Sequence, residues 1–310
     1  MQSSLRARFA PTQLQSARGY PYAYGYKLQS RKFTAANGQG LYNPSSLTTN
    51  SSLNRYVMMS AWFKPTATGL TSSRAIAGFA SATDTTGATC AYLMLSAGRL
   101  VAYQSSAGGA AVSDCISPVG AVVQDGWNFA IAMFNGYTSR VLWLRNSNGI
   151  FTATGSASAG NSNDECIPNV GDRIWYNGAT WQRNIWPFDG LIADVAIWPS
   201  PGSTAAFNSI AQILLNPYEI NGMAGHPPAS LIYPQNLTGY WPLLGRDQTV
   251  GNIAEYSYTN SAGCYGWVNY IVGASNITAS ATNNPTVASD RPPVLYPPGT
   301  WASTYNVVNW

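Results

Sequence analysis

The chain is 310 residues long, 45% hydrophobic and 13% aromatic, with 11 Trp and 19 Tyr, which excludes a disordered polar chain and leaves material for one large β domain with appendages or two smaller domains. Charged residues are only 9%, against about 25% in an average soluble domain, so the surface must be built from Ser, Thr, Asn, Gln and Gly, as in extracellular or particle-assembled proteins. The formal charge of +4 hides an asymmetry: residues 1–83 hold nine cations and no carboxylate, and the remainder holds 7 basic and 12 acidic residues. Such a basic front end suits docking to an acidic partner or a phosphate backbone, and equally suits self-complementarity between neighbouring copies.

Residues 1–31 read as an extended arm rich in Gln, Ser, Arg and Pro. Arg6 and Arg8 lie near its start, and Tyr20, Tyr22, Tyr24 and Tyr26 recur at every second position, so an extended chain carries four rings on one face. Those six residues are the candidate docking residues; the rings suit stacking on sugars or bases, or packing against the chain's own body or a neighbour. From about 31 to 200, within a sandwich domain read as 32–216, the apolar pattern has period two with turn punctuation. A short strand begins at Phe33 and breaks at Asn37-Gly38, and strands follow at 56–63, 75–79, 91–95 and 100–104, with a hairpin at Ala97-Gly98. In 127–134, Trp127, Phe129, Ile131 and Met133 form one apolar face opposite Asn128, Ala130 and Ala132. Asn135-Gly136 is the next hairpin turn, 140–145 returns, and Leu191, Ala193, Val195 and Ile197 alternate again. Many short strands without intervening helices predict an all-β antiparallel sandwich or barrel.

One helix is predicted. Ser203 or Thr204 caps it, Phe207, Ile210, Ala211 and Leu214 fall at i, i+3, i+4 and i+7, and Pro217 stops it, giving an amphipathic lid on a sheet edge. Residues 217–310 turn Pro- and Gly-rich, with 231–244 and 265–272 strand-like. They read as an extension that packs on the sandwich or on neighbours, not as a second core.

Four segments then appear in a familiar order: 32–42; 57–65, VMMSAWFKP; 125–136, DGWNFAIAMFNG; and 188–198, FDGLIADVAIW. Together they resemble a laminin-G-like domain, the jelly-roll sandwich of concanavalin A-like lectins and glucanases, whose strands read sxxAWxKP, WHHVAxTFDG and FDGxIDDVRIY. The resemblance covers about 32–215 and implies an antiparallel jelly-roll sandwich with one short helix and extended arms. Asn128 stands where the family often has His, and Asn135-Gly136 replaces its Asp-Gly turn. Domains of this kind with long flanks are frequent in bacteriophage virion proteins, and 239–245 with 291–297 is similar to C-terminal extensions in that group. The implied role is a virion structural component, a capsid decoration, fibre or tail protein, fastened by its arms to other virion proteins and to copies of itself after assembly in the host cytoplasm.

Chemistry points the same way. Retaining glucanases of this fold need carboxylates about 5 to 5.5 Å apart, yet Glu165, Glu219 and Glu255 lie in no cluster, and Asp189 and Asp194 fit turn and hydrogen-bonding positions. The sole histidine, His226, lies in a Gly-His-Pro-Pro loop and reads as structural or solvated. Cys90, Cys115, Cys166 and Cys264 read as buried thiols, with a Cys90–Cys115 bridge the leading exception. Neither a phosphate-cradling loop nor a nucleophile elbow is present. The expectation is a non-enzyme with no catalytic residues, no metal and no cofactor. No apolar run exceeds six residues, so no membrane span is expected, nor a signal peptide, nor nucleic-acid binding. One binding candidate remains. Trp175, Tyr176, Trp181, Arg183 and Trp186 crowd a segment with Asn177-Gly178 and Arg173, a composition suited to stacking and hydrogen-bonding a host glycan and equally to core packing. The alternative function is therefore a carbohydrate-binding module.

Overall fold

A computed structural model describes residues 30–42, 56–81, 90–105, 115–135, 139–156, 166–182, 184–199, 204–216, 218–220, 223–226, 229, 239–241, 243, 254–258, 272–279 and 285–294. The arm candidates Arg6, Arg8, Tyr20, Tyr22, Tyr24 and Tyr26 lie outside these residues, as does Arg183. The period-two pattern becomes strands β1 (Ser30–Phe33), β2 (Leu41–Tyr42), β3 (Tyr56–Pro65), β4 (Arg74–Ser81), β5 (Cys90–Ser96), β6 (Arg99–Ser105), β7 (Cys115–Ile116), β8 (Asn128–Asn135), β9 (Ser139–Asn146) and β10 (Gly149–Ser156). There follow β11 (Cys166–Val170), β12 (Trp175–Tyr176), β13 (Trp181–Gln182), β14 (Gly190–Pro199), helix α1 (Thr204–Leu215), β15 (Tyr218–Ile220), β16 (Met223–Gly225), β17 (Gly239–Trp241), β18 (Ala254–Tyr258), β19 (Val272–Ala279) and β20 (Thr286–Ala288).

The strands form an antiparallel jelly-roll sandwich of two eight-stranded sheets. The first runs β10-β9-β8-β3-β14-β1-β20, with β17 also on β14; the second runs β18-β19-β2-β11-β4-β5-β6-β7. Strands from beyond residue 216 thus enter both sheets. Two details depart from the sequence reading. Phe33 ends β1 rather than beginning a strand, because the chain turns through a 3₁₀ segment, Ala35–Asn37, into left-handed Gly38. Of the stretch expected at 265–272 only Val272 is described, as the first residue of β19; β20 was not anticipated, since Pro285 and Pro292 flank it as suits a three-residue edge strand.

Between the sheets, Val57, Met59, Ala61 and Phe63 of β3 and Ala130, Ala132 and Phe134 of β8 meet Phe79, Leu93, Leu95 and Leu100. The bulkier face of β8 points the other way. Phe129, Ile131 and Met133, with Met58, Trp62 and Trp198, form an outer apolar layer on which Phe207, Ile210, Ala211 and Leu214 of α1 pack. The helix therefore lies across a sheet face and not along an edge, because that face carries three tryptophans, Trp62, Trp143 and Trp198, needing cover. Alternation along β14 is also broken. A bulge between Ala193 and Ala196, with Asp194 at φ 50°, turns Ile192, Val195 and Ile197 inward and Ala193, Ala196 and Trp198 toward the helix.

Asn128 has every polar atom of its side chain engaged. Its Oδ1 accepts from Val123 N at 2.9 Å and from Asn146 Nδ2 at 2.8 Å, and its Nδ2 donates to the carbonyls of Val123 and Gly126, both at 2.8 Å. A buried group with two donors and two lone pairs is satisfied there. Cys115 is the buried thiol the sequence suggests, with a pKa that burial pushes up to about 11, and the exception considered, a Cys90–Cys115 bridge, does not form. Register forbids the bridge. Cys90 pairs with Ser105 and Cys115 with Ala102, three residues out of step with β6 between them, roughly 10 Å along the strands alone against about 7 Å of disulfide reach.

His226 takes the structural role. Its Nδ1 donates to the Leu214 carbonyl at the end of α1 (3.2 Å), its ring centroid lies 5.1 Å from that of Trp62, and its backbone N–H donates to Pro293 at 2.8 Å. Burial, reinforced by Arg145 and opposed by the Leu214 carbonyl, pulls its pKa from 6.5 to about 4. A histidine held neutral stabilises the fold fully above pH 6.5 and loses that contribution as pH falls toward 4, about 3 kcal/mol in all. In urea titrations across this range, the stability difference between wild type and His226→Phe should change by that amount; a constant difference would show His226 to be solvated.

Candidate functional site

The aromatic segment singled out in the sequence crosses the outer face of the second sheet. Its foundation is Gly78 on β4: a Cβ there would sit 2.3 Å from the ring of Tyr92, which lies across the strand. Tyr92 is fully buried, and its hydroxyl reaches the Ile174 carbonyl at 3.5 Å. Trp186 packs against Tyr92 and Tyr103 in near-perpendicular contacts, with centroids 5.7 and 5.3 Å apart, and the Arg173 guanidinium lies 4.4 Å from the centre of the Trp186 ring.

Asp172 holds this crossing in place. Its carboxylate, almost fully buried, accepts from the backbone N–H groups of Asn184, Ile185 and Trp186 at 2.5, 3.2 and 3.0 Å. Burial raises its pKa to about 6 against the opposing pull of those amides. The segment is sewn to β4 at both ends: Gly171 N–H donates to Ile76, Phe188 N–H to Gly171, and Ala75 N–H to Trp186, while Arg74 Nη1 donates to Pro187 at 2.8 Å.

Within the crossing, β12 and β13 form a small hairpin that pairs Trp175 with Gln182 and Tyr176 with Trp181. Asn177 Oδ1 accepts from Ala179 and Thr180, shaping a turn whose residues 177–180 are all exposed. The five predicted residues therefore divide. Trp175, Tyr176 and Trp181 belong to the hairpin, with Trp175 half-buried; Trp186 is built into the Tyr92–Tyr103–Arg173 stack, and Arg183 lies outside the described residues. Asp172, Tyr92 and Tyr103 escaped the sequence reading. The tyrosines are 94 and 83 positions before Trp186, and an isolated Gly-Asp pair after a strand gives no sign that its carboxylate will bind amides a dozen residues on.

Three more of the described aspartates act as clips too. Asp189 accepts from Ala35 N–H at 3.2 Å and Thr66 Oγ1 at 2.5 Å, and Asp194 from Ala229 N–H at 3.1 Å. Asp290 accepts from Lys64 Nζ at 2.6 Å and Trp127 Nε1 at 2.9 Å. Despite partial burial, the Lys64 ammonium and the Trp127 indole hold Asp290 below the usual carboxylate range. Among the described residues no three His, Cys, Asp or Glu side chains are grouped to hold a metal ion, and no helix is long and apolar enough to cross a membrane.

Asp172→Ala should destabilise the protein by about 3 kcal/mol in chemical denaturation, as three backbone amides lose their buried acceptor, and should shift the Trp186 contribution to fluorescence toward the red. A loss below about 1 kcal/mol would mean that the stack alone holds the crossing.

No protein-family model and no curated protein sequence matches the chain. Among solved structures it is similar to the enzymatically active domain of bacteriophage CBA120 tailspike protein 2, with 12% identity and TM-score 0.41 over 60% of this chain and 27% of that one. Mouse laminin α1 domains LG4-5 are similar at 12% identity and TM-score 0.37, over 55% of this chain and 42% of that one. The chain thus spans under half the length of both. The CBM40 of Ruminococcus gnavus IT-sialidase, bound to α2,3-sialyllactose, is similar at 13% identity and TM-score 0.41, over 60% of this chain and 98% of that one.

Proposed function

We propose that the protein is a non-enzymatic structural component of a bacteriophage virion, a capsid decoration, fibre or tail protein that attaches to neighbouring subunits through its arms. The observation that carries this reading is where the charges go. Asp125, Asp172, Asp189, Asp194 and Asp290 all accept hydrogen bonds from their own chain, most of them closing loops, an arrangement that ties structure together and does not set two carboxyls against a common substrate. The body also takes up part of the basic excess: Lys64 pairs with Asp290, Arg74 binds the Pro187 carbonyl, and Arg31 is fully buried in β1. Arg6, Arg8, Arg18 and Lys27 precede β1 with no carboxylate in the first 83 positions. Their complement is then an acidic surface on another subunit, and repetition over many copies multiplies a weak contact. The similarity of 239–245 and 291–297 to extensions of phage virion proteins supports the setting.

Deleting residues 1–29 stops short of β1, so the body should keep its melting temperature while incorporation into particles is lost. Undiminished incorporation of the truncated chain would overturn the reading.

A second reading, recognition of host surface glycans, is favoured by the exposed 177–180 turn between the strands that carry Trp175, Tyr176 and Trp181. Under it, Trp181→Ala should weaken binding on a host-polysaccharide array by about tenfold, as expected for loss of one stacking contact. A wild-type protein that binds no host polysaccharide would remove this reading and leave the first intact.

A further inference from the structure

An asparagine followed by glycine exposes its side-chain amide to attack by the next main-chain nitrogen, because glycine has no Cβ to obstruct the approach and the two groups are held close by the chain itself. The chain contains five such pairs. Those at 135–136 and 221–222 fall wholly or partly outside the described residues, and the fold treats the other three differently.

At Asn37 the nucleophile is already engaged: the Gly38 N–H donates to the Ala35 carbonyl at 2.9 Å inside the 3₁₀ turn. At Asn148, Gly149 forms the first rung of the β9–β10 ladder, opposite Asn146, and the Asn148 N–H donates to Asn146 Oδ1 at 2.9 Å, so cyclisation has to open the end of the hairpin. Asn177 differs in what its side chain receives. Its Oδ1 accepts from Ala179 N–H at 3.0 Å and from Thr180 N–H at 2.7 Å, which folds the side-chain amide over the turn that contains Gly178. All four residues of that turn, 177–180, are exposed to water. Two main-chain donors on the amide oxygen are what a developing oxyanion needs when a nucleophile adds to Cγ.

We propose that Asn177 is a site of spontaneous deamidation, for which the 177–180 turn supplies both the nucleophile and the oxyanion donors. Hydroxide takes the Gly178 amide proton, and the nitrogen bonds to Asn177 Cγ, placing negative charge on Oδ1 between the two N–H groups. The bond from Cγ to Nδ2 then breaks, and that nitrogen leaves as ammonia after taking a proton from water. A second water opens the succinimide at one carbonyl or the other and restores the Gly178 N–H, leaving aspartate or isoaspartate; nothing is oxidised or reduced. A turn without charge thereby acquires a carboxylate, at the tip of the hairpin that carries Trp175, Tyr176 and Trp181. The isoaspartate form also adds a methylene to the main chain of the turn. The inference needs neither the virion nor the glycan reading, since its reactants are the turn and water.

The full chain, kept folded in mildly alkaline buffer made with heavy-oxygen water, can be followed by peptide mass spectrometry. Labelled aspartate and isoaspartate should accumulate at position 177 at least about tenfold faster than at Asn37 or Asn148. In concentrated urea the three sites should react at similar rates, because each then keeps only its following glycine. Equal rates at the three sites in the folded protein, or an Asn177 slower than either of the others, would overturn the proposal. So would a lead of Asn177 that persists undiminished in urea, which would assign the reactivity to sequence and not to the turn.

Discussion

The first sheet is apolar on both faces, and most of the architecture follows from that. A two-layer sandwich covers one face of a sheet; here it would leave Trp62, Phe129, Ile131, Met133 and Trp198 in water, each forfeiting about 2 kcal/mol of burial. A third layer is therefore obligatory. α1 supplies most of it, and Ala229 and Val294, brought in from the C-terminal part of the chain, supply the rest. The same requirement accounts for side-chain size along most of β8: Ala130 and Ala132 face the opposing sheet, whose leucines and Phe79 fill the gap, while Phe129, Ile131 and Met133 face the helix, and Phe134 near the strand's end turns its ring inward.

With so few charges, the chain uses its carboxylates as long-range fasteners. Asp189 joins the segment after β1 to the end of β3, Asp194 seats Ala229 on the outer layer, and Asp290 brings the C-terminal segment to Lys64 and Trp127. Charge-assisted bonds from a carboxylate to amides are stronger than neutral ones, and a group with several acceptor sites can hold several donors at once. The exterior is left largely to uncharged polar residues such as Ser, Thr and Asn.

Local signals in the sequence carried local structure well. Ala97-Gly98 turns with φ of 47° and 73°, the left-handed pair a two-residue hairpin requires, and α1 begins at the proposed cap and ends just before Pro217. What periodicity cannot convey is which of two apolar faces lies inside, so the helix was assigned to an edge when its partner was the Trp62–Trp198 face. Nor does it reveal the Asp194 bulge, which shifts every later residue of β14 by one. The candidate site was legible as a crowd of aromatics. Its division into a hairpin with an exposed 177–180 turn and a partly buried stack on Tyr92 was not, because Trp186 is placed by Tyr92, Tyr103 and the Asp172 clip, all partners fixed by the fold.

On the proposed reading, in which the ends attach, the junction between arm and body has to carry load, and β1 is well placed to do so. It lies between β14 and β20, antiparallel to both, with Arg31 and Lys32 in register on both sides. Ladder bonds run perpendicular to the strands, so tension transmitted along the chain at Ser30 is directed along the strand axis and loads them together rather than one at a time. Ser30 Oγ also donates to the Asp290 carbonyl at 2.6 Å, and the Asp290 side chain is bound to Lys64 of β3 and to Trp127 beside β8. A pull on the arm is thereby shared with the central strands buried on both faces, and so a strand of only four residues can anchor it.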